Sequence, residues 1–124
     1  MLRWLADENF NGYILDAWLR ESPLADIVTA RSEGLMGYPD PALLAWAAEH
    51  ERVLLNHDVN TIPKFAYERI SQDVPVMGVF IVLSGCKIHE VVGSLMLIDS
   101  SSDTLDWNSQ ITYLPGKLDW LLDI

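Results

Sequence analysis

At 124 residues, half of them hydrophobic, the chain is long enough to bury the core of one domain, and no apolar run reaches the roughly 20 residues of a membrane span. A net charge of −10, with eight Lys and Arg scattered along the chain, argues against a broad electrostatic grip on nucleic-acid phosphate and leaves room for a short single strand. The single cysteine, Cys86, excludes an intramolecular disulfide and a cysteine-based zinc site and fits a reducing cytoplasm; MLRWLADENF carries no secretion-signal pattern.

Leu2–Ala6 is short and apolar and runs at once into Asp7-Glu8-Asn9, which predicts a strand ending at acids. Asn9 is the expected cap of a first helix, with Phe10, Ile14, Ala17, Trp18 and Glu21 on one face and Ser22-Pro23 as its stop. Ile27–Thr29 predicts a second strand, extending back to Asp26. Arg31–Pro39, with Gly34, Gly37 and Pro39, predicts a loop. Asp40-Pro41 then opens a helix, Asp40 as N-cap and Pro41 in the first turn, and Ala42–Ala48 is apolar nearly all round, predicting a largely buried helix.

Arg52–Asn56 predicts the third strand, and Asn60 or Thr61 caps a helix to about Ser71, with Pro63 tolerated in its first turn. Val76–Leu83 predicts a central fourth strand, Ile88, Val91, Val92, Leu95 and Met96 a fourth helix, and Gln110–Leu114 an edge strand. The alternation implies an α/β fold: a three-layer α/β/α sandwich around a mainly parallel sheet of four to five strands. The expected domain is 1–115, followed by an apolar tail, 116–124, bearing Leu118, Trp120, Leu121, Leu122 and Ile124.

Four acids fall near predicted strand ends or loop edges: Asp7, Glu8, Asp40 and Asp58. Gathered at one crevice they would repel one another, and a hard cation such as Mg²⁺ offsets that repulsion. Asp7 and Asp58 meet only if the first and third strands are neighbours. Each acid has a plainer reading: an Asx-turn for Asp7, solvent exposure for Glu8, helix capping for Asp40. Asn60 is either an amide ligand or a cap. A cation held by Asp7, Asp40 and Asp58 would acidify a water and clamp a phosphoryl oxygen. Arg31 and Lys64 are candidates for touching phosphate, against ordinary surface charge. His57 need not face the cavity of Asp58, because successive side chains on an extended segment point apart. His50 and His89 read as surface residues. No HExxH, GxGxxG or P-loop is present, and Ser84-Gly85-Cys86 has no paired base.

LADENF, RSEGLMGYPDPALLAWA and RVLLNHDVNTIPKFA followed by PVMGVFIVL, in that order, resemble the compact PIN-domain-like proteins of bacterial and archaeal toxin–antitoxin modules, related to VapC-type toxins. The resemblance runs from about Leu2 to Leu83, with a weaker continuation to Leu114. It implies a PIN-like sandwich, a Mg²⁺ or Mn²⁺ site at Asp7, Asp40 and Asp58 with Glu8 as accessory acid, and endoribonuclease activity on RNA. It also implies a small cognate antitoxin and frequent homodimers. The chain departs from the family at Asn60, where an Asp is common, and in continuing past Pro115.

The expectation is therefore a metal-dependent ribonuclease, with Asn60 as a weak or outer ligand. The alternatives are a non-catalytic PIN-like protein-interaction module and, third, a receiver-like phosphotransfer domain, for which Lys87 stands out of place.

Overall fold

The computed structural model describes residues 1–116, so the tail expected beyond Gly116 lies outside the described residues. In chain order the elements are β1 (Arg3–Ala6), α1 (Gly12–Glu21), β2 (Asp26–Thr29), α2 (Asp40–Glu49), β3 (Val53–Asn56), α3 (Thr61–Ser71), β4 (Val79–Val82), α4 (Ile88–Ser101), a 3-10 turn (Thr104–Trp107) and β5 (Ile111–Leu114). The expected alternation is present. The sheet has five strands in the order β2-β1-β3-β4-β5, and every pair among them is parallel.

A parallel sheet needs cover on both faces, because its crossover helices lie there. The sequence meets that demand: β3 and β4 are buried at every position, without the alternation of a half-exposed strand. Trp4, Leu55, Phe80 and Val82 point to one face and pack with Ile14 and Trp18 of α1 and Val91 and Leu95 of α4. Leu5, Leu54, Val79 and Ile81 point to the other and pack with Leu43, Leu44 and Ala47 of α2 and Ile62 and Ala66 of α3. The result is helices, sheet, helices. Among the described residues, no helix is long and apolar enough to cross a membrane.

Two local expectations need correction, at the start of α1 and the start of β4. The cap of α1 is Asn11, whose side chain accepts the Tyr13 N–H at 2.8 Å, so the helix starts later than an Asn9 cap implies. The residues between make a turn closed by Phe10 N–H to the Asp7 carbonyl. In α2, Leu43, Leu44 and Ala47 are buried and the other residues of Ala42–Ala48 half-buried, as the apolar run implies. Finally, β4 begins at Val79 instead of Val76, because Gly78 takes φ +124° with Trp107 packed against its backbone.

The sheet also positions a crevice. The chain moves from β1 to β2 on one side and returns to β3 on the other, which makes the β1/β3 boundary a topological switch point. Loops diverge above such a point, and a cleft opens between them.

Candidate active site

Register sets the first pair of acids. Ala6 lies opposite Leu55, and the Asp7 N–H donates to the Leu55 carbonyl at 3.0 Å, so Asp7 leaves β1 level with the end of β3. Asp58 lies just beyond that end. Its turn is built by a fully buried amide: Asn56 donates to the Phe80 carbonyl at 3.3 Å and accepts the Asp58 N–H at 2.8 Å. Asn56 thus ties the Asp58 loop to β4.

Asp58 does the work expected of Asn60. Its Oδ1 accepts the N–H groups of Asn60 (2.8 Å) and Thr61 (2.9 Å), while the Asn60 side chain makes no capping bond to α3. Asp40, expected as the cap of α2, is its first residue; Pro39 precedes the helix, and no side-chain capping bond is made. An Asp freed from capping keeps its oxygens for other partners. Asp40 Oδ2 accepts the Thr61 hydroxyl at 2.6 Å, and the same hydroxyl contacts Asp58 Oδ2. Glu8 completes the rim: its Oε1 accepts the Gly37 N–H at 3.1 Å, pinning the loop before Asp40 to the end of β1. Gly37 holds φ +79°, a conformation that suits glycine.

The electrostatics separate the two strand-end acids. Burial raises the Asp7 carboxyl above its ordinary range; the Glu8 N–H, bonded at 2.8 Å, opposes this, but the charges of Glu8, Asp40 and Asp58 push it up further. For Asp58, burial also acts upward, yet the Thr61 hydroxyl and the N–H groups of Thr61, Asn60 and Ile62 outweigh it and hold the carboxyl below its ordinary range. Asp7 therefore feels all three other acids.

The acids offer only oxygen donors, the kind a hard cation such as Mg²⁺ or Mn²⁺ takes, and Asp7 feels the charge of the other three. Asp7, Asp40 and Asp58 are the residues that could serve one, with Glu8 engaged by Gly37. Among the described residues, no three His, Cys, Asp or Glu side chains close on a common point as a complete ligand cage.

The remaining candidates scatter. Arg31 is exposed in the turn after β2, and Lys64 is exposed on α3 with its Nζ 5.7 Å from the Phe65 ring centre. Arg69, further along α3, bonds the Pro75 carbonyl through Nε and Nη2. His57 turns away from the acids: Nε2 accepts the Asn11 N–H at 3.1 Å, so Nδ1 carries the proton given to the Val82 carbonyl at 2.9 Å. Its ring stacks on Phe10 at 4.6 Å. Thr61 and Asn56 were not singled out as site residues; the signal for Thr61 was its place three residues after an acid at a helix start.

The architecture and site define a doubly wound α/β domain with an acidic crest at its switch point. No protein-family model matches the chain, and no curated protein or solved structure matches it either.

Proposed function

We propose that the chain is a PIN-like, metal-dependent endoribonuclease, the toxin of a two-protein module held in check by a small antitoxin in the cytoplasm. The observation that carries this reading is the position of Asp7: half-buried at the switch point, its carboxyl is raised by burial and by Glu8, Asp40 and Asp58 together. Structural acids gain nothing from such crowding, whereas a site for a divalent cation requires it.

A bound Mg²⁺ or Mn²⁺ would supply Lewis-acid stabilisation of a phosphoryl oxygen and a more acidic water. Asp7, Asp40 and Asp58 would hold it. Glu8, oriented by the Gly37 N–H, stands at the rim to align the attacking water or accept its proton. Arg31, exposed in the turn after β2, and Lys64, exposed on α3, are the cations that would meet phosphates of the bound strand. Asn60 leaves the set one acid short, which favours one well-held ion over two.

A second reading, a non-catalytic module that binds a partner protein, draws support from the absence of a closed three-ligand cage among the described residues and from the net charge of −10. Incubating the protein with mixed single-stranded RNA and Mg²⁺ or Mn²⁺ separates the two. The nuclease reading expects cleavage by the wild type, none in chelator, and none by Asp7→Asn or Asp58→Asn. RNA left intact by the wild type, or cut equally by all three proteins, overturns it.

A further inference from the structure

On the side to which His57 turns, the loops after β1 and β4 border an open cavity of about 430 Å³ whose walls include Asn9, Asn11, Ile14, His57, Val82 and Ser84. It adjoins the crest through both of its loops: Asn9 follows Asp7 and Glu8, and His57 precedes Asp58. The stacked rings of Phe10 and His57 stand where these two loops meet.

The chemistry of this cavity differs from that of the crest. No Asp, Glu, Lys or Arg lines it, in a chain where charge is otherwise abundant. The Asn9 carboxamide and the Ser84 hydroxyl make no hydrogen bond among the described residues. Asn11 uses its Oδ1 on the Tyr13 N–H and keeps its NH₂ group. Both ring nitrogens of His57 are engaged, so the ring offers surface and no open polar atom. Ile14 and Val82 add apolar wall.

We propose that this cavity receives one unstacked base of the RNA strand whose phosphodiester faces the acids. The inference rests on the ribonuclease reading and adds a base-recognition site to it. An apolar wall with a few uncommitted amide and hydroxyl groups is what a flat heteroaromatic ring requires, and sequence-specific proteins read splayed-out RNA bases through their hydrogen-bonding edges. A carboxamide matches the paired donor and acceptor on such an edge. Phosphate is the poorer occupant: no Lys or Arg lines the cavity to meet its charge. The volume falls within the roughly 300–1,000 Å³ of small-molecule sites. Seating a base here would fix which phosphodiester reaches the crest and make cleavage depend on the base at one offset.

Two arms test this. In the first, cleavage sites on a randomised single-stranded RNA pool are mapped at matched extents of reaction for the wild type and for Asn9→Ala/Ser84→Ala. The wild type should prefer one base at a fixed offset by about fivefold or more, the lower range of amide–base discrimination, and the double variant should lose that preference. A wild type without preference at any offset, or a variant with an unchanged profile, overturns the base site.

In the second arm, the amide NMR signals of Asn9, Asn11, Ser84, Gly85 and Cys86 are followed while adenosine, cytidine, guanosine, uridine and inorganic phosphate are added separately. The expected result is a saturable shift with at least one nucleoside, weakened in Asn9→Ala, and none with phosphate. No shift with any nucleoside, or an equal shift with phosphate, overturns the site. Because this arm needs no cleavage, nucleoside binding by a protein that leaves RNA intact would count against the nuclease reading and for the cavity.

Discussion

Asp40 and Asp58, which begin two different segments of the chain, meet on one hydroxyl: that of Thr61, in the first turn of α3. A hydroxyl has one proton, so it can donate to only one carboxylate at a time, and the second acid faces its lone pairs. The contact is a weak neutraliser of two charges. Thr61→Val keeps the shape and removes the proton, and in chelator it should lower stability by about 1 kcal/mol, the usual worth of one such bond. If Asp40 and Asp58 hold a cation, added Mg²⁺ should narrow the gap between variant and wild type, because the ion replaces what the hydroxyl supplied. Melting temperatures with and without Mg²⁺ check this, and an identical gap in both would count against a shared ion.

Much of this arrangement was legible in the sequence. The β1 and β3 runs were short, apolar and closely followed by acids, and their ends meet because the two strands are neighbours in the sheet, an order that the sequence left as a condition. The resolution failed at helix starts. Asp40-Pro41 and Asn9 both match local capping patterns, but capping is decided by which N–H groups a side chain reaches once the preceding loop is folded. The loop before α2 is held by Glu8 and Gly37, a contact between distant segments that no local pattern carries. Asn56 was hidden for the same reason: as the polar end of a strand it looked like a boundary, and its partner is a carbonyl on β4. Asp99 was invisible as well. It is buried on α4 and accepts the Leu2 N–H at 2.8 Å and the Trp4 Nε1–H at 2.9 Å, which fastens the start of β1.

His57 joins three segments, with bonds to Asn11 and Val82 and a ring stacked on Phe10. Two hydrogen bonds at about 1 kcal/mol each and a stacked pair at about 0.5–1.5 kcal/mol predict that His57→Ala costs roughly 2–4 kcal/mol. His57→Phe should cost less, since it keeps the ring, but it leaves the Val82 carbonyl and the Asn11 N–H unpaired. Urea denaturation of the three proteins gives the order wild type, Phe, Ala. An Ala variant as stable as wild type would mean the ring does not fasten the loops.

Gly78 tests the packing that shortens β4. A Cβ there would lie 2.9 Å from the Trp107 carbonyl oxygen and 3.1 Å from Val53 Cγ1, at φ +124°. Both the backbone conformation and the neighbours oppose a side chain, so Gly78→Ala should destabilise by more than about 2 kcal/mol. Gly85 has φ +83° but nothing within 4 Å of a built Cβ, so Gly85→Ala should cost only the conformational penalty of about 1–2 kcal/mol. Parallel denaturation curves compare the two, and equal losses would show that contact with Trp107 adds nothing.

The opposed shifts of Asp7 and Asp58 predict opposite pH behaviour. The Asp7 carboxyl is raised from 3.8, first by burial and then by its acidic neighbours, so the folded state binds its proton more tightly than the unfolded chain does. Stability therefore falls as pH rises from 3.8 through the raised folded value, and the whole penalty persists above it. The Asp58 carboxyl is lowered from 3.8 because hydrogen bonds from Thr61, Asn60 and Ile62 outweigh its burial. Its contribution is present above 3.8 and is lost as pH falls through the lowered folded value. At about pH 7, in chelator, Asp7→Asn should melt higher than wild type, because the amide still accepts the Glu8 N–H and carries no charge. That advantage should vanish by about pH 3, where the wild-type carboxyl is protonated in both states. Asp58→Asn should melt lower than wild type at neutral pH. A gain in stability that accompanies loss of RNA cleavage in Asp7→Asn is the signature of an acid kept for chemistry at a cost to the fold. If Asp7→Asn is instead destabilised at neutral pH in chelator, its charge is compensated within the protein, and the need for a cation at the crest disappears.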